Sequence, residues 1–259
     1  MDWLNAVAGF GVGALVGLTG VGGGALMTPI LVLLFGVAPA TAVGTDLWFA
    51  AVTKMVGGSV HGKSGMVDWE VVRRLCCGSL PAAVLTLLWL HFTNTQHSHD
   101  GLMLKTLGGV LILTAAAIIF KRRFHAIGQR LRDQAPAEFK RAQPGLTVFA
   151  GAVLGFLVTF TSVGAGALGA VMLLYLYPRR MTANRLVGTD IVHAIPLTVL
   201  AGAGHLLMGN INFVLLGSLL LGSVPGVILG SMASSRAPEA LLRAGIAVAL
   251  VAVGVKMLS

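Results

Sequence analysis

Charge is what this chain has least of. Only 10% of its 259 residues are Asp, Glu, Lys or Arg, against about 25% in soluble globular proteins. A chain so poor in charge cannot clothe a water-facing surface, which excludes an ordinary soluble domain. Acidic residues are the scarcer kind, 9 against 18 Lys and Arg, leaving a net charge of +9. That excess could suit nucleic acid, but the basic residues fall between apolar runs, where membrane orientation accounts for them. The two cysteines, Cys76 and Cys77, are neighbours, which leaves no disulfide framework and no CxxC spacing. No Lys or Arg precedes Lys54, so the first hydrophobic run lacks the basic n-region of a signal peptide and is read as part of the fold. HExxH, GxSxG and P-loop patterns are missing as well, so no catalytic residue, metal ligand set or cofactor is expected.

What is present is hydrophobic: 56% apolar residues at a mean hydropathy of +0.88. The length alone would suit one or two soluble domains, but long uncharged runs read as membrane spans instead. Ten segments are expected, near 3–18, 24–36, 42–60, 72–92, 102–120, 146–160, 164–177, 186–207, 213–233 and 239–257. The first, second, sixth and seventh fall short of the roughly 20 residues a spanning helix needs. They form two adjacent pairs, joined by Thr19-Gly20-Val21-Gly22-Gly23-Gly24 and by Thr161-Ser162-Val163-Gly164-Ala165-Gly166. Each pair reads either as two short spans or as a re-entrant helix hairpin.

The long polar stretch 121–145 holds Lys121, Arg122, Arg123, Arg130, Arg132, Lys140 and Arg141 against Asp133 and Glu138. The positive-inside rule makes it a cytoplasmic loop and, counting back, puts the N-terminus outside. The other inside loops then hold Lys63, Arg73 and Arg74, next Arg179, Arg180 and Arg185, then Arg236, whereas the outside loops 37–41, 93–101 and 208–212 hold no Lys or Arg.

The halves repeat. Val21-Gly22-Gly23-Gly24-Ala25-Leu26 matches Val163-Gly164-Ala165-Gly166-Ala167-Leu168 at a separation of 142, and Val43-Gly44-Thr45-Asp46 matches Val187-Gly188-Thr189-Asp190 at 144. His61 pairs with His205 and Pro81 with Pro225, again at 144. Five segments per half is an odd number, so the second copy enters the membrane inverted. The expected architecture is an all-α integral membrane protein with repeat 1 at 1–120, the basic loop at 121–145 and repeat 2 at 146–259. Inverted repeats recur in secondary transporters, which bind substrate near the midplane.

The candidate site follows from helix ends and buried charge. Helix N-termini with glycine turns bind anions through unpaired N–H groups. Thr19, Thr161 and Ser162 add hydroxyls, although glycines also serve tight helix packing. The substrate-binding candidates are therefore Thr19, Gly20, Val21, Gly22, Gly23, Gly24, Thr161, Ser162, Val163, Gly164 and Lys54. Asp46 and Lys54 share a helix face, and His193 lies one turn from Asp190. Charges inside spans usually line a pathway. Asp46, Asp190, His193, His61 and His205 are candidates for proton coupling or for supporting the site, the aspartates reading alternatively as helix caps. His91, His97 and His99 with Asp100 offer a weak metal-binding reading.

These motifs resemble the TauE/SafE sulfite exporter family, also called the 4-toluene sulfonate uptake permease family. The resemblance rests on the Thr-Gly-Val-Gly-Gly-Gly turn, Pro29 beyond it, and Ala42-Val43-Gly44-Thr45-Asp46, repeated in the second half, and it covers nearly the whole chain. It implies a multi-pass transporter of the cell inner membrane, moving a small sulfur-containing anion such as sulfite, thiosulfate, sulfoacetate or a related organosulfonate by alternating access. The implied partners are that anion and the lipid bilayer, with a coupling proton and a homo-oligomer both compatible with the sequence and nucleic acid excluded. A metal-cation carrier or channel using the Asp and His residues, and a membrane-embedded enzyme or accessory subunit, are the alternatives. Ser162 and Ala165 stand where the first turn has Gly20 and Gly23, so the two half-sites are not equivalent.

Overall fold

The structure, a computed structural model, describes residues 3–19, 24–61, 67–93, 100–134, 136–233 and 239–259. Among these, ten helices follow one another: α1 (Trp3–Thr19), α2 (Gly24–Leu33), α3 (Pro39–His61), α4 (Trp69–Phe92), α5 (Asp100–Gln134), α6 (Pro136–Thr161), α7 (Ala167–Leu176), α8 (Ala183–Leu207), α9 (Phe213–Ala233) and α10 (Glu239–Leu258). Five are long and apolar enough to cross a membrane: α4, α5, α6, α8 and α9. Large apolar side chains such as Leu85, Phe149, Leu221 and Val248 point outward. In water such a surface would be a liability, but hydrocarbon is its proper solvent.

The basic stretch 121–145 is not a loop. Apart from residue 135, which lies outside the described residues, it is helical: α5 runs on to Gln134 and α6 starts at Pro136. Charge keeps this stretch out of lipid but does not oppose a helix, and Lys, Arg, Gln and Glu are good helix formers. Proline opens α6, where its missing N–H would have no partner in any case. The extension is fastened to the bundle by the Arg179–Asp133 ion pair and by Gly128, which lies on the Tyr175 backbone. The sixth segment is thus not short: α6 has 26 residues.

The seventh segment is short, and its geometry is a hairpin. Gln143 on α6 donates to the Leu176 carbonyl at 2.6 Å, and the Thr147 and Tyr177 hydroxyls lie 2.8 Å apart. The end of α7 has therefore returned to the level at which α6 enters the bundle. The 10 residues of α7 rise only about 15 Å, and the turn that joins it to α6 is buried at Thr161, Ser162 and Val163. The turn 162–166 thus lies inside the bundle.

Helices pair tightly: α1 with α9, α4 with α6, α5 with α10, and α3 with α8. Glycines on both helices set the first contact. Gly9 and Gly13 lie directly on the α9 backbone at Leu219 and Ser223, so any Cβ there would collide with a carbonyl. Gly151 and Gly155 lie in the same way on Leu75 and Ser79 of α4. Small residues permit such approach, and packing rather than water exclusion drives association in lipid.

Candidate functional site

The long helices α3 and α8 carry three buried charged residues. Asp46 and Lys54 sit on α3, and Asp190 on α8. All three are buried, at 0%, 7% and 6% exposure. Neither aspartate caps a helix: each lies eight positions into its own, and α8 is capped instead by Thr182, which accepts from the Arg185 N–H. Both aspartates therefore lie inside their helices and not at the ends, contrary to the cap expectation.

Lys54 of the first half reaches into the second. Its Nζ donates to the Ala165 carbonyl at 2.8 Å and lies 3.9 Å from Asp190 Oδ2. Asp46 Oδ2 accepts the Thr28 hydroxyl of α2 at 2.5 Å. Ser162 lies beside the same carboxylate without a regular hydrogen bond to it. Thus α2, α3, α7, α8 and the turn before α7 converge on one buried cluster of two carboxylates and one ammonium. An unpaired charge is costly in such a place, and Lys54 and Asp190 offset that cost for each other, whereas Asp46 relies on the Thr28 hydroxyl.

The turn itself is built for a close approach of the backbone. Ser162 has φ +60° and Gly164 φ +126°. The first is unusual for a residue with a side chain; the second is natural only to glycine. The Thr161 hydroxyl donates to the Leu157 carbonyl at 2.7 Å and accepts the Val163 N–H at 3.2 Å, which holds the turn. Gly166 precedes α7 without side-chain capping. The end of α7 facing the cluster is its N-terminus, the positive end of its dipole.

Other candidates are placed differently. His193 is buried beside Ser79 of α4, with Nε2 2.9 Å from the hydroxyl. His205 Nε2 donates to the Thr159 carbonyl at 3.0 Å. Thr19 ends α1, Gly24 begins α2 and His61 ends α3. Gly20, Val21, Gly22 and Gly23, the side chains of Thr19 and His61, and His97 and His99 lie outside the described residues. Among the described residues no three His, Cys, Asp or Glu form a group able to hold a metal ion.

Three participants escaped the sequence reading. Thr28 has Ala170 as its counterpart, so the repeat gave no signal for it. Ser79 belongs to Gly78-Ser79-Leu80-Pro81, repeated as Gly222-Ser223-Val224-Pro225, of which the sequence reading used only the prolines. The Ala165 carbonyl is a backbone group and has no sequence signature.

Long apolar helices, a helix hairpin ending inside the bundle and buried charges bridging both halves define a multi-pass membrane protein of the transporter class. The family model described as "Sulfite exporter TauE/SafE" matches residues 5–257, and the chain belongs to that family. It is 42% identical over 228 residues to the probable membrane transporter protein YjnA of Bacillus subtilis, covering 81% of this chain and 86% of that one. It is also 26% identical over 215 residues to the probable membrane transporter protein MJ0441 of Methanocaldococcus jannaschii, covering 80% and 73%. No solved structure matches the chain.

Proposed function

We propose that the protein is a secondary transporter of a small sulfur-containing oxyanion, such as sulfite, thiosulfate, sulfoacetate or a related organosulfonate, in the cytoplasmic membrane. The observation carrying this reading is the Lys54 ammonium of one half seated at the tip of the hairpin of the other, 3.9 Å from Asp190. The anion binds between Lys54, the 161–166 turn and its counterpart at 19–24, taking backbone N–H donors at the α2 and α7 ends and hydroxyls from Thr19 and Ser162, while Thr161 holds the turn in shape.

Transport proceeds by alternating access of two inverted repeats, 1–120 and 146–259, with 121–145 cytoplasmic and the N-terminus outside. The helix partners support the inversion: α1 on α9 is matched by α6 on α4. Gly9 on Leu219 and Gly13 on Ser223 are matched by Gly151 on Leu75 and Gly155 on Ser79, each member 142 or 144 positions from its mate.

Charge balance supports proton coupling. With both aspartates ionised the buried cluster is already one charge negative, and an anion beside Lys54 adds to that deficit. Asp190 accordingly takes a proton as it yields Lys54 to the anion. Asp46, held by Thr28, and His193, held by Ser79, support the site.

The test is uptake of labelled sulfite, thiosulfate and sulfoacetate into liposomes holding the purified chain. Uptake of at least one anion is expected to rise when the outside is acidified. Lys54→Met is expected to slow it at least about tenfold, the equivalent of one lost charge-assisted contact, at normal protein yield. Asp190→Asn is expected to abolish the response to the proton gradient. Wild-type rates from Lys54→Met would reject the site.

A further inference from the structure

The first turns of α4 and α9 are built alike. Asp68 precedes α4, and Asn212 precedes α9 at a separation of 144. Each side chain caps its own helix: Asp68 Oδ1 accepts the Val71 N–H at 3.3 Å, and Asn212 Oδ1 accepts the Leu215 N–H at 3.0 Å. Each also ties itself to the opposite half through its backbone. The Asp68 N–H donates to the Thr189 hydroxyl at 3.0 Å, and the Asn212 N–H donates to the Thr45 hydroxyl at 3.2 Å. Both threonines are wholly buried, and each immediately precedes a site carboxylate, Asp190 or Asp46. The same tie therefore joins the halves on either side of the charge cluster.

The two ties differ in charge. The Asp68 side chain is 1% exposed and is ion-paired to Arg180 through both oxygens and to Arg185 at 3.3 Å. Arg180 also bonds Glu70 at 2.7 Å, and its guanidinium lies 5.9 Å from the centre of the Tyr177 ring. At the other end Asn212 is neutral and exposed, and the positions matching Glu70 and Arg185 are Val214 and Thr41.

Resting on the alternating-access reading above, we infer that Asp68, Arg180 and Arg185 form an electrostatic latch closing the arginine-bearing face of the carrier, and that Asn212 and Thr45 form its uncharged, more readily opened counterpart. Access to Asp190 and Lys54 from the first face requires the start of α4 to part from the 178–185 segment. That movement separates a buried carboxylate from two guanidinium groups, a loss that rehydration only partly offsets. Access from the second face breaks no ion pair among the described residues: beyond apolar packing of the kind both faces bury, it forfeits one neutral hydrogen bond. The carrier at rest is therefore biased toward opening at the Asn212 face, and the latch governs how often the arginine face opens.

The test uses the full chain, with Cys76→Ser and Cys77→Ser, carrying one reporter cysteine at a time. Leu186→Cys reports on the latch face; Ala42→Cys, at the matching position, reports on the other. Both native side chains are buried. In detergent, a water-soluble maleimide is expected to label Ala42→Cys faster than Leu186→Cys. Asp68→Asn, which keeps the cap and the backbone tie, is expected to raise Leu186→Cys labelling about tenfold or more without raising that of Ala42→Cys. Arg180→Gln leaves the cap untouched and is expected to act in the same direction, so it carries the comparison should Asp68→Asn fold poorly. Unchanged Leu186→Cys labelling in the variants overturns the latch. So does a parallel rise at both reporters, which would mean that the charges merely hold the fold together.

Discussion

Ser162 and Thr28 show how single residues break the symmetry of the repeat. Ser162 holds φ +60° where the first copy has Gly20. A left-handed backbone costs an L-residue about 1–2 kcal/mol that glycine avoids, and strain of this kind is usually kept where a side chain is used. Ser162→Gly is therefore expected to leave thermal stability in detergent unchanged or raised by up to about 1 kcal/mol, while weakening anion binding several-fold; unweakened binding would remove Ser162 from the site. Thr28 gives Asp46 its hydroxyl donor. Thr28→Ala leaves a buried carboxylate oxygen short of a partner and is expected to destabilise the protein by about 1–3 kcal/mol, read as a lower melting temperature.

Between helices, the fold depends on backbone-to-backbone contact. Gly13 of α1 lies on the Ser223 backbone, whereas Gly11, two residues earlier, faces open space. Gly13→Ala is expected to disrupt the α1–α9 pair and to show as aggregation on size-exclusion chromatography. Gly11→Ala is expected to elute as the wild type does, since alanine is the better helix former by about 1 kcal/mol. Equal behaviour of the two variants would contradict the packing described here. The α6–α7 hairpin obeys the same logic of placement. Its open end is fastened by Gln143, Thr147 and Tyr177, and that fastening holds the strained turn against Lys54.

For the whole molecule, the contacts gather the basic segments at one end. Asp133 meets Arg179, and Asp68 meets Arg180, while residues 210–212 meet Gly44 and Thr45 at the other end. Single cysteines at Gln129 and Asn94, in a chain otherwise free of cysteine, are expected to label from opposite sides of the membrane, with Gln129 cytoplasmic. Labelling of both from one side would contradict the inverted topology.

Hydrophobic runs, their spacing and the paired Gly-Thr-Asp motifs were enough to place all ten helices and to single out Asp46, Lys54 and Asp190, because burial in lipid leaves its mark on composition residue by residue. The helical state of 121–134 and 136–145 was not legible, since polarity reports the solvent and not the backbone conformation. Nor was the pairing of Lys54 with Ala165 and Asp190, or of Asp68 with Arg180. Those contacts join residues more than a hundred positions apart, and only the packing of one half against the other decides which buried charge finds which partner.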